Sequence, residues 1–97
     1  MSRWKVEAKR ALRQYPKAKA RGDTRIMWAV ETALEMQREY YNAAARLRMV
    51  DLVHFRRTHT LEGAAVETGY SPETVKRWNT EILSAVYVGL LKTRAEG

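Results

Sequence analysis

The chain has 97 residues and no cysteine, and its 18 basic and 11 acidic side chains leave a net charge of +7. A chain of this length buries about two thirds of its unfolded surface, enough for one core without staples. The missing thiols exclude disulfide frameworks and thiolate metal sites, and the longest apolar run, Ala85 to Leu91, is far too short to cross a bilayer.

In chain order, Met1 to Glu7 has no apolar stretch of the signal-peptide kind. Arg3 to Gln14 reads as a basic amphipathic helix. Trp4, Ala8, Ala11, Leu12 and Tyr15 recur at helical spacing, and Lys5, Lys9, Arg10 and Arg13 fill the other faces. Basic amphipathic helices also bind anionic lipid, but this apolar face is short and alanine-rich. The residue before a proline is pushed out of helical conformation, so the helix is expected to stop before Pro16. Lys17 to Asp23 then forms a basic connector that turns at Gly22-Asp23.

From Thr24 to Leu61 there is neither glycine nor proline. Asp23 or Thr24 caps the start, and Ile26, Val30, Ala33 and Leu34 form one stripe widened by Met27 and Trp28. Glu31, Glu35 and Glu39 repeat along a polar edge, the pattern of a solvated face rather than of acid–base chemistry. The stripe changes phase around Tyr40-Tyr41-Asn42, where Asn42 is placed to cap a new helix; one continuous helix is the alternative. Ala43, Leu47, Val50 and Val53 restart the stripe, with Met49, Leu52 and Phe55 beside it. Arg56 and Arg57 suit a helix C-terminus and are also candidates for a nucleic-acid backbone. His54 and His59 lack the further ligands that a zinc site needs.

Thr60 to Trp78 reads as a helix-turn-helix. Leu61 to Thr68 make the first helix. Gly69 closes it in the left-handed conformation, where a side chain would clash. Ser71 caps the second helix, and Pro72 fits its first position, where the missing N–H costs nothing. Small Ala65 permits a close crossing, and Val75 and Trp78 pack back on the first helix. Thr68 stands where an apolar residue is usual, and Gly63 loosens the first helix by roughly 1 kcal/mol relative to alanine. At about 100° per residue, Glu73, Arg77, Thr80 and, at the margin, Lys76 face away from Val75, Trp78 and Ile82. Arginine can pair with both acceptors of a guanine edge, and glutamate can accept from a cytosine amino group. The second helix runs on through Ile82, Val86 and Leu90, with Leu83, Tyr87 and Leu91 alongside. Either the N-terminal helices cover this wide apolar surface or it forms a dimer face. Gly89 weakens the end, and Arg94 to Gly97 is expected to fray.

Residues 1–25 hold nine basic and two acidic side chains, whereas residues 60–97 hold four and five. Phosphate affinity must therefore come mainly from upstream of the recognition unit. There is no glycine-rich phosphate loop, nucleophile elbow or internal repeat, so no catalytic residue, metal or cofactor is expected.

Thr60 to Trp78 resembles the helix-turn-helix of sigma factor region four, which reads the −35 promoter element. Leu12 and Tyr15-Pro16, a long helical middle and Thr74-Val-Lys-Arg-Trp78 are similar to the small phage late-gene transcriptional activators of the ArpU and RinA type. Gly63 departs from that pattern, which has an acidic residue there, and Tyr15 to Asp23 is unusually basic. The resemblance implies an all-α regulator that activates late or packaging genes in the cytoplasm of a bacterial host. By motif position it carries over Glu73, Lys76 and Arg77 as DNA contacts, with Ser71 as cap.

The expectation is one all-α domain of four to five helices over residues 1–97. Residues 1–59 supply basic N-terminal helices, and residues 60–91 supply a helix-turn-helix with an extended recognition helix. Its sites are Ser71, Glu73, Lys76, Arg77 and Thr80, with Arg56 and Arg57 on the backbone of double-stranded DNA. One such helix reads few base pairs, so a homo-oligomer or a contact with host RNA polymerase is expected, and no membrane. A ring-forming protein like the small phage terminase subunits, or a helical bundle that binds only protein, are the alternatives.

Overall fold

The computed structural model describes residues 2–96, Ala95 and Glu96 by backbone alone, and is all-helical with no strand among them. Its five helices are α1 (Arg3–Arg21), α2 (Thr24–Gln37), α3 (Ala43–Val50), α4 (Leu61–Thr68) and α5 (Pro72–Glu96). Asp51–Phe55 continue α3 as a π-helical turn.

α5 gathers the core because its apolar residues recur on one side for its whole length. Val75, Trp78, Ile82, Leu83, Val86 and Leu90 are all buried. They meet Ala8 and Leu12 of α1, Ala29, Val30 and Ala33 of α2, Met49 and Val50 of α3, and Ala64 and Ala65 of α4 in one continuous cluster. The N-terminal helices thus cover the wide apolar side of α5. The helix continues through Arg94 to Glu96, where the sequence predicts fraying; Gly97 lies outside the described residues.

α1 does not stop before Pro16. It runs through this exposed proline to Arg21 and ends at Gly22, whose backbone is left-handed. A proline inside a helix removes one hydrogen bond and costs about 3 kcal/mol. Two anchors straddle it. The Tyr15 ring lies 5.3 Å from that of Phe55, and its hydroxyl donates to Glu31 Oε2 at 2.6 Å. Ala18, one turn further on, is fully buried. Tertiary contacts outweigh the local break, and Lys17 to Arg21 lie on a helix rather than in a connector. Asp23 caps α2 by accepting from the Ile26 N–H.

The middle segment is two helices. α2 ends at Gln37, and Tyr40 to Asn42 form a turn. Asn42 precedes α3 but makes no capping hydrogen bond to its backbone; its Oδ1 accepts instead from Arg46 Nε at 2.9 Å. Arg46 is 5% exposed. One of its terminal nitrogens donates to Gln37 Oε1 at 3.0 Å and to Glu81 Oε1 at 3.4 Å. Its guanidinium carbon lies 3.7 Å from the centre of the Tyr40 ring and 5.3 Å from that of Trp78. One side chain therefore ties α2, α3, the turn between them and α5 together.

Gly89 is buried where α5 crosses α2. A Cβ there would lie 3.0 Å from the Ala29 Cα and 3.1 Å from its Cβ. Its role is close approach, which a reading of helix propensity misses.

Two stability changes follow. Gly89→Val is expected to destabilise the fold by about 1–3 kcal/mol through overpacking against α2. Arg46→Ala leaves buried Gln37 without its partner and frees the partly exposed Glu81, and is expected to cost about 1–3 kcal/mol. Thermal unfolding followed by circular dichroism, beside a surface control such as Lys92→Ala, measures both.

Candidate functional site

The α4–α5 connection is built by local chemistry. Thr60 caps α4, its hydroxyl accepting from the Gly63 N–H at 3.1 Å. Thr68, polar where an apolar residue is usual, donates its hydroxyl proton to the Ala64 carbonyl at 2.8 Å and so needs no solvent. Gly69 takes φ 77°, and the N–H groups of Gly69 and Tyr70 both return to the Ala65 carbonyl. Ser71 Oγ accepts from the Thr74 N–H at 3.2 Å, which caps α5. Tyr70 stacks edge-on against buried Trp78 with ring centres 4.7 Å apart.

Glu73, Lys76, Arg77 and Thr80 are all exposed on the opposite side of α5. Neither Glu73 nor Arg77 has a hydrogen bond or ion pair among the described residues. Lys76 is engaged: its Nζ lies 3.3 Å from Glu62 Oε1 on α4. The Glu62 carboxyl is held below the usual carboxylate range, first by its own backbone N–H and then by Lys76. The Thr80 hydroxyl donates to the Lys76 carbonyl at 3.2 Å, leaving its oxygen free only to accept.

The two upstream arginines separate. Arg56 turns back to Asp51, with Nε–Oδ2 at 2.9 Å. Arg57 follows the π-helical turn with φ 57°, the one described residue other than glycine in that region. The turn sets this geometry: the Arg56 N–H reaches the Asp51 carbonyl at 2.7 Å, and the Thr58 N–H returns to that of Leu52 at 3.0 Å. A left-handed residue with a side chain costs roughly 1–2 kcal/mol, so the fold holds an arginine where glycine would be less strained.

Arg57 lines a cleft of 390 Å³ with Lys9, Arg10 and Arg13 of α1. None of these four cations is paired with a carboxylate among the described residues. Sequence reasoning places positive charge in α1 generally. It does not foresee this convergence, which depends on how α1 packs against the π-helical turn.

His54 forms part of the cleft and is itself buried. Its Nε2 lies 2.7 Å from Asn79 Oδ1 on α5; with that oxygen accepting, Nε2 carries the proton. This bond joins the cleft to α5. At about 100° per residue, Asn79 lies about 160° from Arg77, among the core-facing residues of α5.

Comparison of the chain with family models, with curated proteins and with solved structures returns no match.

Burial, more than the neighbouring Lys9 charge, pushes the His54 pKa below its usual value, against the opposing bond to Asn79. The unfolded chain therefore takes up this proton first. His54 is expected to lower stability as pH falls through about 6.5, with the loss levelling off below the folded pKa. Urea midpoints between about pH 8 and about pH 5 should fall less steeply in His54→Gln than in the parent chain.

Proposed function

We propose that the chain binds double-stranded DNA, with α4, the Gly69–Ser71 turn and the start of α5 acting as a helix-turn-helix. The observation that carries this reading is the pairing of two features. A stripe with Glu73 and Arg77 unpartnered lies open, and elsewhere on the surface four cations converge with no carboxylate to neutralise them. In this reading the first turns of α5 enter the major groove. Arg77 reads a guanine edge, and Glu73 accepts from a cytosine amino group. Thr80 accepts from a donor within reach. Ser71 sets the start of the helix, and Lys76, with Glu62 released, joins the contact at the groove edge.

Arg57, with Lys9, Arg10 and Arg13, holds phosphate, and Arg56 contributes once DNA competes with Asp51. Backbone strain kept at a charged residue supports such a role, because glycine would satisfy the turn alone. The resemblance to phage late-gene activators extends the proposal to transcription regulation in a bacterial host. One recognition helix discriminates only a few base pairs, so a protein partner or a second copy adds the rest.

Two substitutions separate the roles. Arg77→Ala is expected to relax preference at one base pair, a loss of about 1–3 kcal/mol on the preferred sequence only. Arg57→Gly is expected to weaken specific and random DNA alike and to reduce the dependence of log affinity on log salt by about 1. The same change should raise fold stability by about 0.5–1 kcal/mol, because it relieves the left-handed strain. Fluorescence anisotropy across a salt series, with selected and scrambled duplexes, measures the binding terms, and urea unfolding measures the last. Affinity insensitive to salt, or equal losses on both duplexes for both variants, rejects the assignment.

A further inference from the structure

On the Glu81 side of α5 the chemistry reverses. A groove of 770 Å³ runs between α2 and α5. It is lined by Trp28, Met36 and Tyr40, which are 44%, 53% and 45% exposed. Four carboxylates, Glu31, Glu35, Glu39 and Glu81, share the same lining. Two cations outside that lining offset part of the charge: Arg38 lies 3.1 Å from Glu35, and buried Arg46 lies 3.4 Å from Glu81. Glu31 accepts from the Tyr15 hydroxyl and has no ion-pair partner among the described residues. Glu39 has no ion-pair partner among the described residues. In a chain with a net charge of +7 this is a concentrated negative site. Large apolar side chains left in water inside a charged rim mark a protein-interaction surface.

We infer that this groove docks a cationic amphipathic helix of another protein. The apolar side chains of that helix, one turn apart, seat against Trp28, Met36 and Tyr40, and its lysines and arginines face the four carboxylates. Four arguments select this occupant. Nucleic acid is repelled by the rim. A second copy related by a two-fold axis brings the same carboxylates against one another. A second copy arranged head to tail offers its basic α1, but Leu12 of that helix is buried and Trp4 and Tyr15 pack on the core. Val6 is the one large apolar side chain that α1 leaves exposed. A trough between two helices suits a third helix lying in it, read by anchors one turn apart. The groove and the cleft share no lining residue.

The test uses the full chain, labelled with nitrogen-15. It is titrated with a synthetic helical peptide carrying leucines one turn apart and lysine or arginine elsewhere. A second peptide keeps the leucines and carries glutamate in place of every cation. Amide shifts confined to residues 24–40 and the Glu81–Ala85 segment of α5, with binding of the cationic peptide only, support the docking site. Glu35→Lys with Glu39→Lys is expected to weaken that peptide roughly tenfold. Both residues are exposed, so the fold should hold, and circular dichroism checks it. Met36→Ala is expected to weaken the same peptide, and added salt to weaken it further. No binding, equal binding of both peptides, or shifts scattered beyond the groove overturns the inference. Sedimentation that shows self-association abolished by the double lysine variant overturns it too, by making a second copy the occupant. DNA affinity is measured separately on the same variant and is expected not to fall, so failure of peptide docking and failure of DNA binding are distinguishable.

Discussion

The guanidinium of Arg46 is the interaction on which the arrangement of helices depends. A buried cation is costly unless its donors are used and its charge is met. Arg46 meets both conditions with groups from three elements: Gln37 on α2, Asn42 in the turn before α3, and Glu81 on α5. It also lies near the faces of Tyr40 and Trp78, where a cation is attracted to the ring. Hydrophobic burial is nondirectional and would tolerate sliding of α2 along α5. These directional bonds allow only one register. The same contacts hold Trp78, whose buried Nε1 has no hydrogen-bond partner in the protein, so the packing must offset that donor's lost hydration.

With the register set, the surface divides by charge around α5. The cleft gathers Lys9, Arg10, Arg13 and Arg57, and the groove between α2 and α5 gathers Glu31, Glu35, Glu39 and Glu81. Net charge alone would describe a uniformly basic protein that attracts any polyanion. The division gives the molecule a polarity instead: an anion approaching from solvent is drawn to one flank and turned from the other.

Features governed by neighbours in sequence are legible without coordinates. Gly69, Ser71 and Pro72 specify the turn and cap, because left-handed backbone and N-terminal hydrogen bonding are properties of a few adjacent residues. The buried phase of Val75, Trp78 and Ile82, and so the exposure of Arg77, follows from periodicity. Features that need distant partners are not legible. Pro16 reads as a stop, and only the docking of Tyr15 and Ala18 carries the helix past it. Arg46 counts as surface charge until Gln37, Glu81 and Trp78 are brought around it, and its spacing from Asn42 is the one local sign. Arg57 gives no warning of a left-handed backbone, since arginine has no preference for it. The cationic cleft joins residues about forty-five apart in the chain, beyond the reach of any local pattern.

α5 also has a mechanical consequence. Its 25 residues form one rod of about 37 Å, and no proline follows Pro72 to bend it. Whatever grips the first turns holds the same rigid body that runs on to Leu90. Near its far end the side-chain-free surface at Gly89 lets it lie directly on Ala29 of α2. The same rod carries Glu73 and Arg77 in its first turns and, further along, Glu81 and Ala85 in the wall of the acidic trough.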